Sequence, residues 1–220
     1  MIPTDNNEIL SHVDHTLLAA DATSEDILKI CNEATVNETA SVCIPPSYVS
    51  LAKGRFPRLN VCTVIGFPLG YSSTNAKLAE IISAKENGCD EFDMVINISW
   101  AKNGAFDKIT EEISALKKVV GDKTLKVIVE TCYLTEEEKI AVCKSVTDGN
   151  ADYIKTSTGF GSAGAALADV ELFKKHIGNN VKIKASGGVR TREDMEAFLS
   201  AGCDRIGTSS AVKALCCEAT

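Results

Sequence analysis

Eight short apolar runs, each followed by a longer stretch with helical spacing and polar punctuation, limit the folds open to this chain more than any other feature. The runs are HVDHT (12–16), ASVCIP (40–45), NVCTVIG (60–66), EFDMVIN (91–97), LKVIVET (125–131), DYIKTS (152–157), VKIKAS (181–186) and DRIGTS (204–209). Amphipathic segments occupy 24–37, 47–54, 74–88, 105–120, 135–149, 164–177 and 191–201, with a last short one from 209. Thr135 with Glu138 and Thr191 with Asp194 have the spacing in which a threonine caps a helix and the acid three residues on reaches back to it. Strict alternation of this kind predicts a parallel sheet covered by helices. Eight units favour a closed (β/α)8 TIM barrel in the α/β class over an open doubly wound sheet. The open sheet would also call for a nucleotide signature, and neither GxGxxG nor GxxxxGK[ST] occurs. One domain over 1–220 is expected, since no linker rich in Pro, Gly or Ser divides the chain.

Composition narrows the function. At 220 residues, 45% hydrophobic and 24% charged, the chain is a soluble globular protein able to bury a large core. Its net charge of -7 is spread without a basic run, so nucleic acid is excluded as a partner. The N-terminal MIPTDNNEIL has no positive n-region or apolar h-region, and no apolar stretch approaches the ~18 residues of a membrane span. No membrane partner and a cytoplasmic location are expected. The nine cysteines lack paired CxxC spacing and fall mostly in apolar contexts, which predicts reduced core residues; adjacent Cys216 and Cys217 are unexplained by this reading. His12 and His15 have no clustered ligands beside them, so no metal site is expected.

In such barrels the working residues sit at the C-terminal ends of strands and in the loops that follow. There the sequence places Asp14, Asp93, Glu130, Lys155 and Lys184, with the loops STGFG, SGGVR and GTSS. Singly each has a plain explanation: a cap for Asp14, a solvent-facing mouth residue for Glu130, a solvated strand end for Lys184. Together they are less easily set aside. Lys155 and Lys184 hold matching positions on consecutive strands, and strand parity turns both inward while Ile154 and Ile183 face the helices. The same parity turns Asp93 inward between Phe92 and Met94, where a carboxylate is costly unless paired or in use. Neighbouring strands lie ~4.8 Å apart, so two inward amines could lie ~6 Å from each other and repel by roughly 3 kcal/mol at an effective dielectric of about 20. One lysine would then be partly neutral near physiological pH, and a neutral amine beside a second cation is a nucleophile suited to Schiff-base chemistry. The competing expectation is that one lysine points outward or pairs with a carboxylate such as Asp93.

Phosphate in many barrels is held by the loops after strands seven and eight and a short helix that follows. Here these loops bring Gly187 and Gly188, whose backbone amides can approach an anion, and Gly207 with the hydroxyls of Ser209 and Ser210. Either loop alone is a common turn; both at these strand ends favour phosphate binding.

DHTLL (14–18), TVIGFPLG (63–70), EFDMVINI (91–98), KVIVET (126–131), IKTSTGFG (154–161), KASGGVR (184–190) and RIGTSS (205–210) together resemble the class I deoxyribose-phosphate aldolases, in order and over nearly the whole chain. The resemblance implies a TIM barrel that reversibly cleaves 2-deoxy-D-ribose 5-phosphate to acetaldehyde and D-glyceraldehyde 3-phosphate with neither metal nor other cofactor. It implies Lys155 as the Schiff-base lysine, Lys184 as the lysine that tunes it, Asp93 as proton donor and acceptor, and Asp14 as the residue that orients the relay. Thr158 and Gly159 fall in the loop around the bound sugar phosphate. Assembly into a homodimer or higher homo-oligomer is expected, as barrels of this kind often pair through helical faces. The chain departs from the family pattern at Pro45 and Trp100, and Phe160 leaves no extra cation after the lysine motif.

Overall fold

The computed structural model describes residues 5–216. In chain order the elements are α1 (Asn6–Leu10), β1 (Val13–Thr16), α2 (Ser24–Val36), β2 (Ser41–Ile44), α3 (Val49–Arg55), β3 (Val61–Ile65), α4 (Thr74–Glu86), β4 (Glu91–Val95) and α5 (Ile98–Lys102). They continue with α6 (Phe106–Val120), β5 (Thr124–Ile128), α7 (Glu136–Asp148), β6 (Tyr153–Lys155), α8 (Leu167–His176), β7 (Lys182–Ser186), α9 (Arg192–Ala201), β8 (Arg205–Thr208) and α10 (Ala211–Cys216). Each strand pairs in parallel with the next, and β8 returns to β1 through the register Gly207 to Asp14, closing an eight-stranded barrel. Among the described residues no helix is long and apolar enough to cross a membrane.

The parity read from the sequence holds. Phe92, Met94, Ile154 and Ile183 face outward and join one continuous apolar layer between barrel and helices, at 3% exposure or less. At roughly 25 cal/mol per Å² of apolar surface removed from water, this layer is the main stabilising term. Capping boxes form at Thr23 with Asp26, Thr135 with Glu138 and Thr191 with Asp194, so the starts of α2, α7 and α9 are set locally. Of the cysteines, Cys89, Cys143 and Cys203 are core residues whose thiols burial pushes up to about 12, and they behave as small apolar groups. Cys217 lies outside the described residues.

Two short helices escape the sequence pattern. Both α1 and α5 have five residues, too few for a 3.6-residue period to show. The Asn97 side chain caps α5, which lays Trp100 against the outer core. The eighth helix also begins later than position 164, at Leu167. Residues before it are strapped across the end of β7, where the Ala165 N–H donates to the carbonyls of Ser186 and Gly187 at 3.1 and 3.0 Å. The backbone at Gly164 passes so close that a Cβ there would stand 2.2 Å from the Gly187 oxygen. Tertiary contact thus overrides helical spacing over three residues.

The loop after β3, GFPLG, closes by a Gly70 N–H to Gly66 carbonyl bond of 2.8 Å. Gly70 has φ +72°, and a Cβ would fall 1.9 Å from the Ile96 carbonyl oxygen, whereas exposed Gly54 in α3 has nothing within 4 Å of such an atom. Chemical denaturation is expected to show Gly70→Ala destabilised by roughly 3 kcal/mol or more, and Gly54→Ala stabilised by up to about 1 kcal/mol.

Candidate active site

The inward positions of six strands carry charge. From the strands come Asp14 (β1), Glu91 and Asp93 (β4), Lys126 (β5), Lys155 (β6), Lys184 (β7) and Arg205 (β8), and none of the three carboxylates or three lysines exceeds 5% exposure. Lys155 and Lys184 are in register, as their sequence positions predict. Asp93 ties the cluster together. Its Oδ2 accepts from Lys155 Nζ and from Lys184 Nζ, each at 2.7 Å, while its Oδ1 accepts from Lys126 Nζ at 2.9 Å and from the Cys62 thiol at 3.1 Å. Lys184 also donates to Asp14 Oδ2, and the other Asp14 oxygen accepts from Ser41 Oγ at 2.7 Å and Arg205 at 2.5 Å.

This arrangement changes the reading of the two lysines. They are not a bare like-charge pair: a single carboxylate oxygen lies between them. The expectation that a lysine pairs with Asp93 and the expectation that both point inward are both met. Burial alone would lower Lys184, but Asp14 and then Asp93 outweigh it and hold the amine well above the usual lysine range. Lys184 is thus held as a cation. Burial would likewise raise Asp93 and Asp14; Lys126 first, then Lys155 and Lys184 for Asp93, and Lys184 and Arg205 for Asp14, hold both carboxyls well below the carboxylate range.

Three members are not among the strand-end candidates: Glu91 and Arg205, which open β4 and β8, and Lys126. It stands near the middle of β5 rather than at its end, opposite Asp93 in the register, fully buried. A lysine in an otherwise apolar strand, TLKVI, is the signal that could have found it. Its Nζ reaches Asp93 at 2.9 Å, Glu91 Oε2 at 2.5 Å and Asp14 Oδ2 at 3.5 Å. Cys62, expected only as core filler, donates its thiol to Asp93. Glu130, expected to face water, is 2% exposed.

Two sets of metal-ligating atoms converge here, Cys43 with Cys62 and Asp93, and Asp14 with Cys62 and Glu91. They do not fit a metal ion. The Lys126 ammonium sits 3.3 Å from Cys62 Sγ, 2.9 Å from Asp93 and 2.5 Å from Glu91, so a fixed positive charge already occupies the space between these ligands.

Above the cluster opens a cleft of about 440 Å³ whose lining includes Lys155, Thr158, Gly159 and Phe160 from the β6 loop. Gly187 and Gly188 line it after β7, and Gly207, Ser209 and Ser210 line it at the end of β8. Asp14, Asp93 and Lys184 lie below it, so Lys155 is the lysine amine that joins cluster to cleft. Gly187 and Gly188 adopt φ +84° and +79°, and no atom stands within 4 Å of a Cβ position at Gly188, which leaves its backbone open to a ligand. Gly207 serves a second purpose: a Cβ there would stand 3.1 Å from Lys184 Cε, so its bare backbone makes room for the lysine stem. Arg190, which the sequence argument left unassigned, also lines the cleft. Phe160 packs edge-on against Phe67 with ring centroids 5.3 Å apart, walling one side.

A barrel with an amine at the floor of a glycine-lined cleft, backed by buried carboxylates and a second ammonium, defines a (β/α)8-barrel enzyme built for carbonyl chemistry. The DeoC/LacD family aldolase profile matches residues 9–209. A deoxyribose-phosphate aldolase of Clostridium botulinum (strain Eklund 17B / Type B) is 63% identical over 216 residues, 98% of each chain, and one of Clostridioides difficile (strain 630) is 55% identical over 94% of this chain and 95% of its own. The tetrameric deoxyribose phosphate aldolase of Aeropyrum pernix superposes with a TM-score of 0.88 at 30% identity, covering 97% of this chain and 92% of its own. The chain belongs to the DeoC/LacD family of aldolases.

The ion cluster generates a stability prediction. Lys126→Met leaves three buried carboxylates short of a cation and is expected to cost about 3–5 kcal/mol in denaturant unfolding at pH 7. Because the folded-state carboxyls of Asp14 and Asp93 are depressed, their contribution is complete above the unfolded value of about 3.9 and is lost as pH falls below it. The gap between wild type and Lys126→Met is therefore expected to narrow as pH falls below ~4.

Proposed function

We propose that this chain is a class I aldolase that reversibly cleaves 2-deoxy-D-ribose 5-phosphate to acetaldehyde and D-glyceraldehyde 3-phosphate, in the breakdown of deoxyribonucleosides. The observation that carries the reading is the place of Lys155: it lines the cleft, and its ion-pair partner, Asp93 Oδ2, is shared with Lys184. The names of the relatives support the substrate.

In the cleavage direction, the neutral Lys155 amine attacks the aldehyde of the open-chain sugar, and loss of water gives a protonated imine. This imine is the electron sink. Asp93 removes the proton of the 3-hydroxyl, directly or through a water, the C2–C3 bond breaks, and its electron pair passes into the enamine. Glyceraldehyde 3-phosphate leaves. The enamine carbon is then protonated, and water hydrolyses the imine to acetaldehyde and the free amine. Lys184 supplies a permanent charge that steadies Asp93 as its proton load changes, and Asp14 holds Lys184 in place. The glycine and serine loops after β7 and β8, with Arg190 beside them, seat the phosphate and supply orientation energy remote from the reacting carbons. A metal has no part in these steps. The chain acts in the cytoplasm as a homo-oligomer.

Reduction with borohydride in the presence of acetaldehyde is expected to trap a covalent adduct on Lys155; folded, active protein that gives none would sink the proposal. Lys155→Ala is expected to lose turnover by at least ~10³-fold while keeping its circular dichroism. Lys184→Leu removes the like-charged neighbour of the attacking amine, so the rising limb of the pH–rate profile is expected to move to higher pH.

A further inference from the structure

Glu130 is a buried carboxylate that the reaction as written does not use. It follows β5 with φ +53°, a left-handed conformation rare for glutamate. The backbone on either side keeps pairing with β6: the Val129 N–H donates to the Lys155 carbonyl and the Thr131 N–H to that of Thr156, both at 3.0 Å. The kink at Glu130 leaves its side chain turned toward the loop after Lys155.

There it meets Thr158. The Thr158 N–H lies 3.2 and 3.3 Å from the two Glu130 oxygens, and the Thr158 hydroxyl donates to Glu130 Oε2. Among the described residues no lysine, arginine or histidine lies within 4.0 Å of this carboxylate. Gly161 brings the loop back over it, where a Cβ would stand 3.2 Å from the carboxylate carbon. A buried carboxyl group bonded by both the N–H and the hydroxyl of one residue fixes that residue firmly, because losing either bond would leave a buried polar group unpaired.

The consequence lies in the hydroxyl. A threonine hydroxyl has one hydrogen and two lone pairs. The hydrogen is directed at Glu130, and one lone pair accepts the Phe160 N–H at 3.0 Å. Thr158 lines the cleft, and its hydroxyl keeps one lone pair that neither bond uses. We infer that Glu130 is a positioning residue that fixes the Thr158 hydroxyl as a hydrogen-bond acceptor toward the cleft, so that this point of the site selects a ligand hydroxyl and rejects a phosphate oxygen. Thr158 is thereby separated from the phosphate loops with which the sequence grouped it. Resting on the proposed aldolase reading, the inference assigns Thr158 to the 4-hydroxyl of the sugar, which lies between the 3-hydroxyl that Asp93 deprotonates and the phosphate. That group is the hydroxyl adjacent to the aldehyde of glyceraldehyde 3-phosphate.

The test runs the reaction in the synthetic direction with acetaldehyde and two acceptors: D-glyceraldehyde 3-phosphate, and 3-oxopropyl phosphate, which lacks that hydroxyl. The quantity read is the ratio of their kcat/KM values. Glu130→Gln leaves one acceptor oxygen where the carboxylate had two; with that oxygen taken by the Thr158 N–H, the amide N–H donates to the threonine oxygen and turns its hydrogen toward the cleft. The ratio is expected to fall roughly 10- to 100-fold, mainly through the KM of the hydroxylated acceptor. Thr158→Val is expected to lower the ratio similarly, and Glu130→Gln in the Thr158→Val background is expected to lower it no further. If Glu130→Gln does not fold, the Thr158→Val ratio decides. An unchanged ratio in either folded single variant, or an additive double variant, overturns the inference. Borohydride trapping of acetaldehyde on wild-type Lys155 keeps the two proposals apart: failure there counts against the aldolase reading, while success with an unchanged ratio counts against Glu130.

Discussion

Asp93 can stay ionised in the interior of a barrel only if cations surround it, and much of the site follows from how they do so. An isolated buried carboxylate would cost several kcal/mol and would take up a proton instead. Lys126 approaches one oxygen, and Lys155 and Lys184 share the other. Each lysine brings partners in turn, the carboxylates of Asp14 and Glu91, and Arg205 pairs with both, so that three carboxylates face Lys126, Lys184, Arg205 and the Lys155 amine. Of these, the lysine in contact with the cleft is Lys155. A carboxylate lying between two amines, with its far oxygen clamped by a third, is a geometry in which a proton can move without the framework having to rearrange.

The same economy appears at the mouth. Its backbone is tied down by side-chain hydrogen bonds: Glu130, behind the cleft wall, holds Thr158, while from the wall itself the Thr208 hydroxyl holds the Val189 carbonyl at 2.6 Å and Ser186 Oγ holds the Ser157 carbonyl at 2.5 Å. Loops carry the specificity of a barrel, and here they are fastened at close spacing to the strand ends that bear the reacting groups. The polar positions of the cleft then differ in kind. Glycine backbone and serine hydroxyls after β7 and β8 suit an anion, whereas the fixed Thr158 hydroxyl suits a donor.

Much of this was readable in the chain. Parity along EFDMV and KIKAS assigns Asp93 and Lys184 to the interior because the residues beside them are apolar and must face the helices. Capping boxes mark helix starts because the bonds that make them are local. What could not be read depends on distances between strands remote in sequence. The partners of Lys126, in TLKVI, emerge only when β4 and β5 are set in register, and Glu130 looks like a mouth residue until the β6 loop folds onto it. The late start of α8 was hidden for the same reason, since Gly164 is fixed by the backbone of β7.

The sequence by itself determined the number and order of the βα units, the inward face of each strand and the two lysines at matching strand ends, since these rest on periodicity and local hydrogen bonding. The tertiary structure alone decided that Lys155 and Lys184 share one carboxylate oxygen, that Lys126 completes the shell and that Glu130 directs the Thr158 hydroxyl. Those outcomes turn on a few tenths of an ångström across the barrel, where the energy of a buried charge is set by its neighbours in space rather than along the chain.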